Sequence, residues 1–283
     1  MIDVLAQQII NGLVVASVYM MFSVGLSLIY GVFKIFHIAH GAAFLIGLFA
    51  TYYGFLGTGN LPVAILIGLA FSALFGIGNA IIYRRTLSRG ATATLVSSIG
   101  LYMLTQESFI VAFNPEPKHY NFTFLPIDIA GAKITNLQVA ILIIGVISVA
   151  SLWFFLQRSW AGKSIRAVAQ DVEASKIMGI SADRTLILVM ILGSVLAGLG
   201  GTLTSLNYNL VQHGMGFSPI AIGFVIILLG GMGSYGGAIV ASLIIGFSET
   251  LASVYLAVFS RHVISFGLLT VLLILRPKGL RGK

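Results

Sequence analysis

The chain lacks cysteine altogether, so it has neither a disulfide nor a thiolate metal site, and its redox compartment cannot be read. Charge is nearly as scarce: Asp, Glu, Lys and Arg make up 8% of the 283 residues, against roughly a quarter in soluble domains. That scarcity excludes a water-soluble fold. Only eight residues are acidic, and neither an HExxH segment nor a carboxylate cluster occurs, so no metal site and no bound cofactor are expected. No Ser-His-Asp constellation or cofactor fingerprint survives inspection either, and the chain reads as a non-enzyme. Gly162-Lys163-Ser164 ends like a phosphate-binding loop, yet the glycine required five residues earlier falls on Gln157 and no strand precedes it.

What the chain has is apolar sequence, 58% of residues, with a mean hydropathy of +1.03. Runs of ~20 residues, the length that crosses a bilayer, recur at roughly 5–30, 36–57, 61–83, 92–113, 136–156, 185–207, 218–234, 238–258 and 262–275. The expected fold is all-α: a polytopic helix bundle of about nine spans, eight to ten with broken helices, forming one membrane domain over 1–283. The net charge of +8 does not point to nucleic acid, because the basic residues sit at span ends. Alternation from an external N-terminus puts thirteen of them on the cytoplasmic side and only Lys118, Lys133 and Arg261 outside. The C-terminus is then cytoplasmic, and the opening segment lacks the basic start of a cleavable signal peptide. The external stretch Asn114 to Asn136 holds three of six prolines and reads as an ordered surface cap.

Two small-residue stripes, Gly193/Ala197/Gly201/Ser205 and Ser234/Ala238/Ser242/Gly246/Thr250, suit close helix packing, within the subunit or against a second one. Two segments read as interrupted helices or tight cytoplasmic turns: Tyr30 to Gly41 (YGVFKIFHIAHG) and Leu229 to Gly237 (LGGMGSYGG). Broken backbone at membrane depth lines a cavity or is buried in protein, and paired breaks often flank a permeation path. The candidates for such a path are His37, His40, Gly41, Glu107, Gly230, Gly231 and Gly233. A charge in hydrocarbon costs at least ~2.5 kcal/mol, so His40, Glu107 and Glu249 are expected to face the bundle interior or a wet cavity. Glu249 lies within reach of Arg261 or His262 for pairing, and His40 of a neighbouring helix backbone.

Between the fifth and sixth runs lies a polar island, Gln157 to Arg184, with five basic residues. Ile165, Val168, Ala169 and Val172 follow helical spacing, giving a surface helix one apolar face, with Arg166, Asp171 and Glu173 on other faces. Gly179 is placed to close that helix in the left-handed conformation, and Ser181 with Asp183 to cap the next. The island, 157–184, reads as a cytoplasmic coupling loop within the membrane domain. The residues themselves leave three transport classes open: an ATP-driven permease, an ion-coupled transporter using Glu107, Glu249 or His40, and a passive channel.

Glu173-Ala174-Ser175 followed by Gly179 resembles the cytoplasmic EAA-x-x-x-G loop of ATP-binding-cassette importer permeases. Over nearly its whole length the chain is similar to the permease family of high-affinity branched-chain amino acid importers. The likeness rests on NGLVVASVYMMFSVGLSLIYGV (Asn11 to Val32), IAHG (Ile38 to Gly41), RAVAQDVEASKIMGI (Arg166 to Ile180), LAGLGG (Leu196 to Gly201), LLGGMGSYGGAIVAS (Leu228 to Ser242) and the RPKGL ending. The resemblance implies a multi-pass protein of the bacterial inner membrane, paired with a homologous second permease subunit in a heterodimer. It also implies two cytoplasmic ATPase subunits carrying ATP and Mg, and a periplasmic solute-binding protein. ATPase coupling would fall on Ile165, Arg166, Val168, Ala169, Asp171, Glu173, Ala174, Ser175, Gly179 and Ile180. Ala42 stands where the family commonly has an acid, and His37 where it often has asparagine. The solute therefore stays open among branched-chain or other hydrophobic amino acids, urea, short amides and aromatic acids.

Overall fold

A computed structural model describes residues 2–122, 124–129, 132–255, 261–276 and 279–280. Apolar sequence becomes helix almost throughout, the form in which a chain in lipid satisfies its own backbone hydrogen bonds. The helices are α1 (Ile2–Phe33), α2 (His40–Thr58), α3 (Leu61–Leu87), α4 (Ala91–Phe113) and α5 (Asn136–Arg158), then two surface helices, α6 (Trp160–Gln170) and α7 (Val172–Ile177). They continue as α8 (Ala182–Tyr208), a 3-10 turn (His213–Gly216), α9 (Phe217–Gly230), α10 (Tyr235–Tyr255) and α11 (Arg261–Leu275). Among the described residues eight helices are long and apolar enough to cross a membrane, and α11 is a shorter ninth. The loop after α4 carries an antiparallel pair, β1 (Pro126–Ile129) with β2 (Ala132–Thr135), and is pinned by a bridge between Lys118 and Val211. Tyr120 completes the cap, its hydroxyl 3.1 Å from Ser205 Oγ.

Contacts sort the chain ends and loops onto two faces. On one, the Gln7 side chain exchanges hydrogen bonds with the Lys133 backbone at 2.9 and 2.8 Å, and Lys118 pairs with Val211. On the other, Arg84 meets Asp183 at 2.8 Å and the Leu280 amide donates to Leu229 at 2.8 Å. Lys278, Arg281 and Lys283, expected on that second face, lie outside the described residues.

Helices α1 and α8 form the centre and run in opposite senses. Each ends on a non-glycine residue in the left-handed region, Lys34 (φ 57°) and Asn209 (φ 52°), and resumes after a short break as α2 or α9. Their contacts are reciprocal. A Cβ added to Gly25 would lie 3.0 Å from the Gly193 carbonyl, and one on Gly193 would lie 3.3 Å from that of Gly25. Gly41 and Gly216 repeat the relation at 2.7 and 2.8 Å, and α1 packs along α10 as α8 packs along α3. These are two inverted helix–break–helix units, an arrangement that hydropathy alone did not reveal.

Both small-residue stripes pack inside the subunit. Gly193 meets Ile29, Gly201 meets the Phe44 carbonyl, and Gly246 lies against Ala16. The glycine run after Leu229 is a tight turn between α9 and α10, with Gly233 (φ +80°) against Gly31. It does not interrupt a span.

Candidate functional site

The surface segment α6–α7 is held at both ends by caps. Ser159 accepts from the Gly162 amide at 2.8 Å and donates to Phe155 at 2.7 Å, folding α6 back beneath α5. Ile165 and Val168 are each 1% exposed and join the buried cluster shared by α1, α5 and α8. Trp160 stays in the open, with Lys163 Nζ 4.4 Å from its ring centre.

One continuous island helix was expected, but Asp171 divides it. Its carboxylate accepts from the Glu173 and Ala174 amides at 2.8 and 3.0 Å, starting α7 afresh, because an N-terminal aspartate satisfies orphan amides that helix continuation would not. Gly179 then closes α7 as expected, at φ +80°, with its own amide bonded to Lys176 O (2.9 Å) and that of Ile180 to Ser175 O (3.0 Å). Those two bonds make a Schellman end. Ser181 caps α8 by accepting from the Arg184 amide.

Within this segment Ile165, Val168 and Ser175 face inward, and Arg166, Ala169 and Ile180 are half-buried. Asp171, Glu173, Ala174 and Gly179 are exposed, with Glu173 and Lys176 paired at 2.7 Å. Sequence reasoning passed over two highly exposed apolar side chains: Ile177 at 86% and Met178 at 81% project from the tip of α7. Their signal was an apolar pair on a polar loop, off the helix's buried stripe.

The break between α1 and α2 is a second polar place, and its two histidines are fully buried. His37 Nδ1 lies 2.8 Å from the Tyr83 hydroxyl, and the two histidine rings are 5.5 Å apart, centre to centre. His40 Nε2 lies 3.0 Å from the Phe22 carbonyl, which only accepts, so Nε2 carries the hydrogen. The Ala39 amide donates to Ser98 Oγ at 2.8 Å, tying the break to α4. Asn79, one turn from Tyr83 on α3, is also fully buried, and neither of its amide atoms has a protein partner among the described residues. Gly41 closes this region against Gly216. Gly230, Gly231 and Gly233 lie in the α9–α10 turn, where Gly233 packs against Gly31 in the last turn of α1.

The two in-span carboxylates part company. Glu249 is buried, accepting from the Tyr19 hydroxyl at 2.7 Å and from that of Ser265. The expected pairing with Arg261 or His262 falls outside the described side chains. Glu107, expected to face the bundle interior or a wet cavity, is exposed on α4. A helix's hydropathy does not fix its rotation, and here Phe109 and Phe113 do: both turn inward to pack on Phe49, leaving Glu107 outside.

The family model described as "Branched-chain amino acid transport system / permease component" matches residues 8–275. The high-affinity branched-chain amino acid transport permease BraD of Pseudomonas aeruginosa is 27% identical, covering 98% of this chain and 95% of its own. LivH of Escherichia coli, of the same description, is 28% identical with the same coverage, and the ribose import permease RbsC of that organism is 25% identical over 66% of this chain and 60% of its own. No solved structure matches. This chain belongs to the branched-chain amino acid transport permease family.

Proposed function

We propose that this chain is the translocating subunit of an ATP-driven importer of branched-chain or other hydrophobic amino acids, and that ATPase subunits grip it at α6–α7. The observation that carries the reading is the tip of α7. Ile177 and Met178 stand exposed on a segment otherwise capped and anchored, and solvent-exposed apolar pairs beside charged residues suit a partner's groove. The names of the near-full-length relatives support the solute class.

On this reading the face bearing Arg84, Asp183 and α7 is cytoplasmic, and the face bearing Lys118 and the β1–β2 hairpin receives the periplasmic binding protein. The chain binds no cofactor, and ATP with Mg resides on the ATPases. Their states shift the bundle only through differential contacts with its two orientations. The inverted α1–α2 and α8–α9 breaks, with His37, His40 and Gly41, are the elements such a shift would move. A cysteine in place of Ile177, the only thiol in the chain, should cross-link to an ATPase subunit in the assembled complex. Labelling by lipid-phase reagents, without an ATPase adduct, would show instead that α7 rests on the membrane.

A further inference from the structure

The end of α3 and the start of α8 border a pocket of about 540 Å³ on the face that carries the Arg84–Asp183 pair. Ile81, Arg84, Arg85 and Ser88 fall at i, i+3, i+4 and i+7, so one side of α3 presents them together, and Arg89 follows at the rim. Asp183 and Ile187 complete the wall from one side of α8. Three arginines thus meet one aspartate. Asp183 is bonded to Arg84 at 2.8 Å, and among the described residues no carboxylate reaches Arg85 or Arg89. The carbonyls near them are occupied too: Arg85 O accepts from Ser88 Oγ at 2.9 Å, and Thr86 O from the Arg89 amide at 2.9 Å. Two positive charges are left for an anion from outside the chain.

Below the arginines the same side of α3 is apolar and open. Ile81 is 56% exposed, and Leu74 and Phe71, seven and ten residues earlier, are 61% and 54% exposed. Ten helical residues rise about 15 Å, half of the ~30 Å hydrocarbon core and so the depth of one leaflet. Leu74 and Phe71 there border an apolar groove of about 780 Å³ against α2 and α4.

We infer that this pocket binds the phosphate head of an anionic phospholipid, with one acyl chain laid along Ile81, Leu74 and Phe71. The two unpaired guanidiniums are planar forks of N–H donors that match phosphate oxygens, and the exposed track matches a chain one leaflet long. Charge bias between the membrane faces accounts for arginines anywhere on this face, but not for three of them converging on one apolar-walled pocket. Inorganic phosphate, or an acidic segment of a soluble partner, would satisfy the arginines and leave the track bare. Neither the cargo nor the energy source of transport bears on this site, which needs only the bilayer.

The test uses the chain in its assembled complex, purified in detergent and titrated with phosphatidylglycerol or phosphatidylcholine, with bound lipid counted by native mass spectrometry. Phosphatidylglycerol should bind about tenfold more tightly, because choline neutralises the phosphate that the arginines read. An arginine beside an anionic headgroup is worth about fivefold in affinity, so Arg85→Gln with Arg89→Gln should weaken phosphatidylglycerol about 30-fold. The double Lys variant at the same positions should fall between, keeping charge but losing the fork. Lys34→Gln with Arg276→Gln removes equal charge from the same face outside the pocket, and should change affinity less than about twofold. Equal weakening by both Gln pairs, or no preference between the two lipids, would overturn the inference. Inorganic phosphate in millimolar amounts should leave the lipid bound, and its displacement of the lipid would assign the pocket to free phosphate instead. A photoreactive phenylalanine analogue at Ile81, in native membranes holding the whole complex, should give adducts with anionic phospholipid. Adducts with an ATPase subunit alone would show that a protein covers the pocket, and would overturn the inference equally.

Discussion

Gly179→Val perturbs the backbone and nothing else. A Cβ at Gly179 meets no atom within 4 Å, so bulk is not at issue, but φ is +80° and the residue donates one bond of the Schellman end. An L-residue held in the left-handed region costs roughly 1–2 kcal/mol, with β-branched residues at the upper end or beyond and asparagine well below it. If α7 must keep this end to be gripped, the strain appears in ATPase affinity. At 1.4 kcal/mol per factor of ten, affinity should fall about 5- to 30-fold in Gly179→Val, less in Gly179→Ala and least in Gly179→Asn. The assay is titration of purified ATPase onto the permease pair in nanodiscs, with solute-stimulated hydrolysis read in parallel. Wild-type affinity in Gly179→Val would refute the reasoning. An Asn variant as weak as Val would refute the backbone explanation, because the two differ in left-handed cost and not in space.

Three further outcomes follow from particular contacts. A cysteine at Ser88 or Lys176 should resist an impermeant thiol reagent added outside sealed cells, while one at Lys118 should react, since the first two lie on the face of Arg84 and the third on the hairpin face. Glu249→Ala removes the acceptor for two buried hydroxyls and should lower stability by about 1–3 kcal/mol, with Glu249→Gln milder, measured by thermal unfolding in detergent. His40→Leu breaks the bond to the Phe22 carbonyl within the break, and should impair uptake while the complex still assembles. Equal loss of assembly would assign His40 to packing alone.

Hydropathy made most of the spans legible because lipid leaves a chain few options, and eight helices with a shorter ninth appear where the apolar runs lie. The island was half legible. Gly179 was readable from its position, but the apolar period running on into Val172 concealed the stop at Asp171, whose carboxylate competes for the next helix's amides. Tertiary partners were out of reach. Nothing near Glu249 in sequence points to Tyr19, 230 residues away, nor does His37 point to Tyr83. The second break, at Asn209 to Gly216, went unread because its polar residues look like an ordinary loop. Its kinship with the first emerges only from the reciprocal glycine contacts between α1 and α8 and between α2 and the 3-10 turn.

The central claim is that work done on ATP reaches the bundle through α6–α7, and uptake in reconstituted vesicles tests it most directly. With this chain, its partner permease, the ATPases and the binding protein assembled, radiolabelled leucine should accumulate when ATP is supplied on the α7 side, and a protonophore should leave that accumulation intact. In Gly179→Val vesicles hydrolysis should continue with accumulation reduced, or fall together with ATPase binding. Accumulation that needs no ATP and collapses with the protonophore would contradict the account, and would return Glu249 and His40 to consideration as proton carriers.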